Sequence, residues 1–131
     1  MELLERYKKD IEEDLKIDEF NIKEASLKSP GRKHFWVSKL IYHKRSLLKL
    51  EAERDELKRK IVKELQFQSP VKLSTPVLEK TSDTSAVIKL MDVKISEEKL
   101  IIEFLEKTEK IFSSLTYDIK NIVEIMKLEQ M

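Results

Sequence analysis

Residues 32–66 read RKHFWVSKLIYHKRSLLKLEAERDELKRKIVKELQ and contain neither proline nor glycine. Mostly apolar residues recur here at spacings of four and three, namely Trp36, Leu40, His43, Leu47, Leu50, Arg54, Leu57 and Ile61. This period is that of a helix with one apolar side, interrupted twice by a polar residue. Such a helix would be about 50 Å long, because each residue adds about 1.5 Å. A helix of that length is too long for so small a monomer to cover, which indicates a partner.

A second long helix is predicted over 96–131, where Ser96 is a suitable N-cap residue. The same alternation continues through Ile101, Leu105, Thr108, Phe112, Leu115, Ile119, Ile122 and Met126. Further apolar residues flank this series, so the apolar side is wider than the seam of a two-stranded coiled coil. Two explanations remain open at this point: the helix packs on its own domain, or several copies assemble in a ring.

The N-terminal 31 residues predict two short helices. Leu4, Tyr7, Ile11 and Leu15 give an amphipathic helix over 1–15. Asp18 is placed to cap a second helix that runs to about Lys28. Ser29-Pro30-Gly31 then predicts a break, since proline disfavours a helical residue before it and glycine tolerates unusual dihedrals.

Residues 67–95 differ in composition from both long helices. Pro70, Pro76 and a high content of serine and threonine predict a connecting loop, and the β-forming residues of 86–93 favour a short strand within it. The predicted fold is therefore mainly α, in three regions: an N-terminal helical region (1–66), this connection (67–95) and the C-terminal helix (96–131).

The composition excludes several classes of function. Gly31 is the single glycine, so no glycine-rich loop for phosphates or dinucleotides is present. There is no cysteine, and His34 and His43 do not have the spacing of two metal ligands on one helix face. We therefore expect no enzyme, no cofactor and no metal. No apolar run approaches membrane-spanning length, so neither export nor insertion is expected.

The net charge of +1 conceals a strongly basic segment. Residues 32–63 carry eleven basic and four acidic side chains. Cations that track phosphates, together with aromatic side chains such as Phe35 and Tyr42, are typical of proteins that bind single-stranded nucleic acid. Trp36 belongs to the apolar series, so we assign it to the core. The alternative is a structural coiled-coil scaffold whose basic side is only solvated, and RNA as the ligand also remains open.

Four segments resemble, in order, the UvsY family of recombination mediators of T-even-type bacteriophages. They are KKDIEEDLKID, RKHFWVSKLIYHK, LLKLEAERDELKRKI and IIEFLEKTEKIFSSLTYDIKNIVEIM. The resemblance covers most of the chain except the stretch at 66–84. It implies a protein without catalytic activity that assembles into a ring of about six or seven subunits. It also implies binding to single-stranded DNA, and loading of a RecA-like phage recombinase onto strands covered by the phage single-strand-binding protein, in the cytoplasm of the infected bacterium.

The resemblance also suggests site residues. A Leu-Lys-Ala-Arg-Leu motif of the family is linked to DNA binding, and Leu57-Lys58-Arg59-Lys60-Ile61 stands in its place. The motif lies one residue closer to Glu51-Ala52 than in the family, which shifts its helical phase by about 100°. Which of its three cations faces DNA is therefore open. The full expected DNA-binding set is Arg32, Lys33, Lys39, Tyr42, Lys44, Arg45, Lys58, Arg59 and Lys60. The expected oligomerisation set is Ile101, Leu105, Phe112, Leu115, Ile119, Ile122 and Met126, since the family's C-terminal helix is associated with assembly.

Overall fold

A computed structural model describes residues 2–131, which form four α-helices joined by short connections. Helix α1 spans Glu2–Leu15, α2 spans Ile22–Gln68, α3 spans Thr75–Asp83 and α4 spans Ala86–Glu129. No strand occurs among the described residues. The mainly helical fold and the long C-terminal helix predicted from the sequence are confirmed.

The turn between α1 and α2 is held by reciprocal hydrogen bonds between Asp18 and Asn21. Asp18 Oδ1 accepts from the backbone N–H groups of Phe20 and Asn21 at 2.8 and 2.9 Å. Asn21 Oδ1 accepts in return from the backbone N–H of Asp18 at 2.7 Å. This is the arrangement of a capping box, in which two side chains satisfy each other's free backbone donors. Asp18, which the sequence predicted as a cap, thus organises the turn just before α2, because both N–H groups that it binds precede Ile22.

The predicted break at Ser29-Pro30-Gly31 is wrong, because α2 continues through all three residues. Pro30 lacks the N–H that would bond to the carbonyl of Ser26, so the helix forgoes one hydrogen bond there. Gly31 has no positive φ, and it adopts ordinary helical backbone. Ser29 is buried in the same turns. Tertiary packing of this segment therefore overrides its local preference for a turn.

The prediction of a loop with a short strand over 67–95 is also wrong. Residues 75–83 form α3, with Pro76 in its first turn, where proline is tolerated because the N–H has no helical partner. Helix α4 begins at Ala86, ten residues before Ser96. The β-forming residues of this segment follow helical period: Ile88 and Ile95, two turns apart, are both buried.

The chain divides into two compact units, and α2 and α4 each contribute to both. The first unit comprises the residues up to Tyr42 and Ile101–Met131. Its core contains Trp36, which is 2% exposed and meets the ring of Tyr7 edge-on at a centroid distance of 5.4 Å. Trp36 Nε1–H donates to Asp14 Oδ2 at 2.8 Å, which attaches α1 to α2. The assignment of Trp36 to the core is confirmed.

The second unit comprises His43–Leu100. Leu78 and Ser82 of α3 pack inward together with Ile88 and Ile95 of α4, and all four are buried. The Ser82 hydroxyl donates to the carbonyl of Glu79 at 2.7 Å, so its burial leaves no unpaired polar group. Helix α3 is thus an integral part of this core.

Candidate nucleic-acid interface

The outward side of α2 in the second unit carries five exposed cations, which we call the basic stripe. They are Arg45, Lys49, Arg59, Lys60 and Lys63. With 3.6 residues per turn, all five lie within about 60° of one line along the helix. The inward side carries the buried His43 and the half-buried Leu47, Leu50, Leu57 and Ile61. The stripe is about 27 Å long, from the rise per residue.

The stripe is not uniformly positive. Its middle contains Ala52 and Glu56, and Glu56 Oε2 lies 3.8 Å from an Arg59 guanidinium nitrogen. This pair is fully on the surface, so it is weak and exchanges readily with other anions. The cations therefore form two groups, Arg45 with Lys49, and Arg59 with Lys60 and Lys63. Lys44 is also exposed and lies beside the first group.

Lys58 points away from the stripe, toward α3. Its Nζ lies 3.1 Å from Asp83 Oδ1, and its side chain is only 25% exposed. Within Lys58-Arg59-Lys60, Arg59 and Lys60 therefore face solvent, whereas Lys58 connects α2 to α3. The role of each of these three cations in DNA binding stays a prediction.

Arg54, a polar interruption of the apolar series, joins all three helices of the second unit. Its Nε lies 2.5 Å from Asp92 Oδ1 on α4, and one of its terminal nitrogens lies 3.4 Å from Asp83 Oδ1 at the end of α3. The hydrogen bond from Arg54 lowers the pKa of Asp92 and reciprocally raises the pKa of Arg54. Sequence reasoning missed this structural role, because both carboxylates lie in the segment predicted to be a loop.

The remaining residues predicted to bind DNA lie in the first unit, and they differ in their exposure and in their contacts within the chain. Arg32 is engaged by α1: its Nε lies 3.4 Å from Asp14 Oδ1, and it donates to the Asp14 carbonyl at 3.2 Å. Lys39 lies over the ring of Phe35, 5.4 Å from its centroid. Lys33 is half-buried, whereas Tyr42 is 64% exposed. Arg32 therefore links α2 to α1, and its predicted role in DNA binding stays a prediction.

His43 is buried in the second unit and bonds through Nδ1 to Glu98 Oε1. No group of three or more potential metal-ligating side chains occurs among residues 2–131. A cleft of about 630 Å³ between α2 and α3 is lined by Lys58, Arg59 and Lys63 on one side and by Glu79 on the other. Asp55, Val62 and Thr75 complete its lining.

The residues of α4 predicted to mediate oligomerisation fall into a buried group and a partly exposed group. Ile101, Leu105, Phe112 and Leu115 are each at most 5% exposed within the single chain. Ile119, Ile122 and Met126, further along, are partly exposed. The first four side chains therefore pack in the chain's own core, which was one of the two explanations left open by the sequence. Ile119, Ile122 and Met126 keep apolar surface exposed, and the assembly role of the series stays a prediction.

The C-terminal end of α4 exposes apolar side chains that the heptad pattern alone did not select. Tyr117 is 70% exposed, Ile125 55% and Leu128 69%. All three lie outside the 4-3 series that runs from Ile101 to Met126. Together with Ile119, Ile122 and Met126, they make the last four turns of α4 apolar on more than one side.

Comparisons with solved structures identify a similar arrangement of helices. Three crystal structures of the bacteriophage T4 recombination mediator protein UvsY, in lattice types IV, II and I, superpose with TM-scores of 0.82, 0.79 and 0.78. The alignments cover 93–97% of this chain and 97–98% of the other, at 14–15% sequence identity. No protein-family model and no curated protein sequence matches.

This chain therefore has the fold of T4 UvsY over nearly its whole length. The resemblance seen in the sequence is confirmed at the level of fold. Among the described residues, no helix is long and apolar enough to cross a membrane.

Proposed function

We propose that this protein is a recombination mediator without enzymatic activity, which binds single-stranded DNA as a ring-shaped homo-oligomer. It loads a RecA-like phage recombinase onto DNA covered by the phage single-strand-binding protein, in the cytoplasm of the infected bacterium. The observation that carries the proposal is the coincidence of two features. The chain has the UvsY fold over 96% of its length, and its longest helix exposes a basic stripe opposite its core-facing side.

The stripe suits a flexible, negatively charged strand. Arg59, Lys60 and Lys63 provide three cations within five residues, and Arg45 and Lys49 provide two more about 15–27 Å away along the helix. Each phosphate that they neutralise releases condensed counterions, so affinity comes mainly from the backbone and not from the base sequence. Copies of the stripe on several subunits would act on one strand at high effective concentration. Tight binding then needs only a few phosphate interactions per subunit.

We assign assembly to the last four turns of α4. Ile119, Ile122 and Met126 are partly exposed in the single chain, and the neighbouring Ile125 and Leu128 are more exposed still. Burial of such side chains between subunits would contribute about 25 cal/mol per Å² of apolar surface. The buried residues from Ile101 to Leu115 then serve the fold of each subunit.

The DNA-binding proposal is tested with a charge-matched pair of triple variants. Arg59, Lys60 and Lys63 are replaced by Ala in one variant, and the exposed Lys99, Lys110 and Lys120 of α4 in the other. Fluorescence anisotropy with a labelled single-stranded oligonucleotide measures affinity across a salt series. The stripe variant should bind more weakly and with a shallower salt dependence, by about 0.7 in slope for each phosphate that it no longer neutralises. Equal weakening in both variants would indicate nonspecific attraction and contradict the proposed surface.

The assembly proposal is tested by molar mass in solution. Ile125→Asp adds a charge at a side chain that is exposed in the subunit, so the fold should persist and the mass should fall to that of smaller oligomers. Circular dichroism confirms that the helices are intact. An unchanged mass would place the interface elsewhere. Loading is tested separately, by recombinase filament formation on covered DNA with and without the protein. An RNA oligonucleotide serves as the competing ligand.

A further inference from the structure

Phe67 is an almost fully exposed aromatic side chain at the end of the basic stripe. It is 92% exposed, although a phenylalanine ring is among the side chains with most to gain from burial. It follows Lys63 by four residues and Lys60 by seven, and therefore lies on the same side of α2 as both. Four residues of helix separate it from Lys63 by about 6 Å along the axis.

The end of α2 is held by hydrogen bonds of Gln66, the residue before Phe67. Gln66 Oε1 accepts a hydrogen bond from the backbone N–H of Leu73 at 3.3 Å, and the Gln66 carbonyl accepts from the N–H of Ser69 at 3.4 Å. The Ser69 hydroxyl donates to the carbonyl of Val71 at 2.7 Å. These bonds fold the connection toward α3 and leave the Phe67 ring in solvent at a defined point of the helix.

We infer that Phe67 is a base-stacking site, on which a nucleobase of the bound strand lies while Lys63 and Lys60 hold the adjacent phosphates. This inference rests on the proposed function. Base stacking on an aromatic ring is tolerant of sequence, because every base has a π face. It would complement the stripe, which by itself recognises only phosphate charge. Lys63 and Lys60, four and seven residues before Phe67, supply the positive charge that the phosphates of a bound strand require.

Phe20 offers a matched control in the same chain. It is 90% exposed, but it lies outside the basic stripe and directly follows Asp18 and Glu19 in the sequence. An exposed phenylalanine beside two carboxylates has no electrostatic reason to meet a nucleic acid. Removal of either ring takes the same apolar area from the surface. The two substitutions therefore differ mainly in the charge around the missing ring.

The experiment compares Phe67→Ala, Phe67→Tyr, Phe67→Leu and Phe20→Ala in full-length protein, by oligonucleotide anisotropy. Phe67→Ala should weaken binding to a single-stranded DNA oligonucleotide at least about fivefold, given the usual strength of base–aromatic stacking. Phe67→Tyr should retain binding because it keeps the ring. Phe67→Leu should not, although it keeps an apolar side chain. Phe20→Ala should bind as the parent protein does.

A second ligand distinguishes stacking from a structural effect. An oligonucleotide of the same length with abasic sites throughout keeps every phosphate and lacks every base. Phe67→Ala and the parent protein should bind it with equal affinity. A Phe67→Ala variant that binds ordinary DNA normally, or loses affinity equally for the abasic strand, overturns the inference and leaves the proposed function standing. Failure of the parent protein to bind either strand would refute the proposed function itself.

Discussion

Gly31→Ala should stabilise the protein by about 0.5–1 kcal/mol, the usual advantage of alanine over glycine inside a helix. Gly31 is exposed, has ordinary helical backbone, and lies ten residues into α2. A Cβ atom added to it would meet no other atom within 4 Å. The substitution therefore adds helix propensity, and reduces the entropy of the unfolded chain, without steric cost. For a chain of this size, the melting temperature should rise by about 2–5 °C.

The measurement is thermal and urea unfolding followed by circular dichroism at one fixed protein concentration, since assembly would make the midpoint depend on concentration. Ala52→Gly is the reciprocal control. Ala52 lies in the middle of the same helix and is exposed, so its replacement should cost about what Gly31→Ala gains. If Gly31→Ala destabilises the protein while Ala52→Gly behaves as expected, then 29–31 is a turn, as its local sequence suggests, and the continuous α2 is refuted.

Three further outcomes follow from the packing and the ion pairs. Leu115→Ala should destabilise the fold by about 2–5 kcal/mol in urea unfolding, because its side chain is 4% exposed, whereas the exposed Ile125→Ala should change the subunit little. Asp92→Asn should cost less than about 1 kcal/mol near neutral pH, since the ion pair with Arg54 is partly solvated. The pKa of Asp92 is lowered in the folded state, so its contribution is present above the unfolded pKa and disappears as pH falls; the two proteins should converge below about pH 4. DNA binding by the parent protein should weaken steeply with salt, and a flat titration would contradict a backbone-driven mechanism.

Periodicity predicted the elements whose own residues determine them. The spacing of Tyr7 and Ile11 marked α1, and the alternation from Trp36 to Ile61 marked most of α2. Local sequence preferences predicted the wrong backbone conformation where packing against residues distant in the sequence determines it. Pro30 and Gly31 favour a turn in isolation, but the packing of Ala25, Ser29 and Trp36 keeps them helical.

The candidate interface shows the same division between local and distant information. Composition placed the cations on α2, and helical geometry separates them into sides once the axis is known. Helical geometry alone does not say which side of α2 the other helices cover. Lys58 and Arg54 turn inward because Asp83 and Asp92 meet them there, and both carboxylates lie in a segment whose helices were not predicted. The same holds for Leu115, whose burial depends on partners that a single helical pattern does not contain.

The hydrogen bond between Trp36 and Asp14 gives the molecule a built-in optical reporter. Trp36 is the chain's single tryptophan, and its indole is buried where α1 docks on α2. Any event that lifts α1 would expose the indole to water and break its bond to the carboxylate. Its emission would then shift to longer wavelength. Rearrangement of the N-terminal helix, during DNA binding or subunit exchange, can therefore be followed in real time on the unlabelled protein.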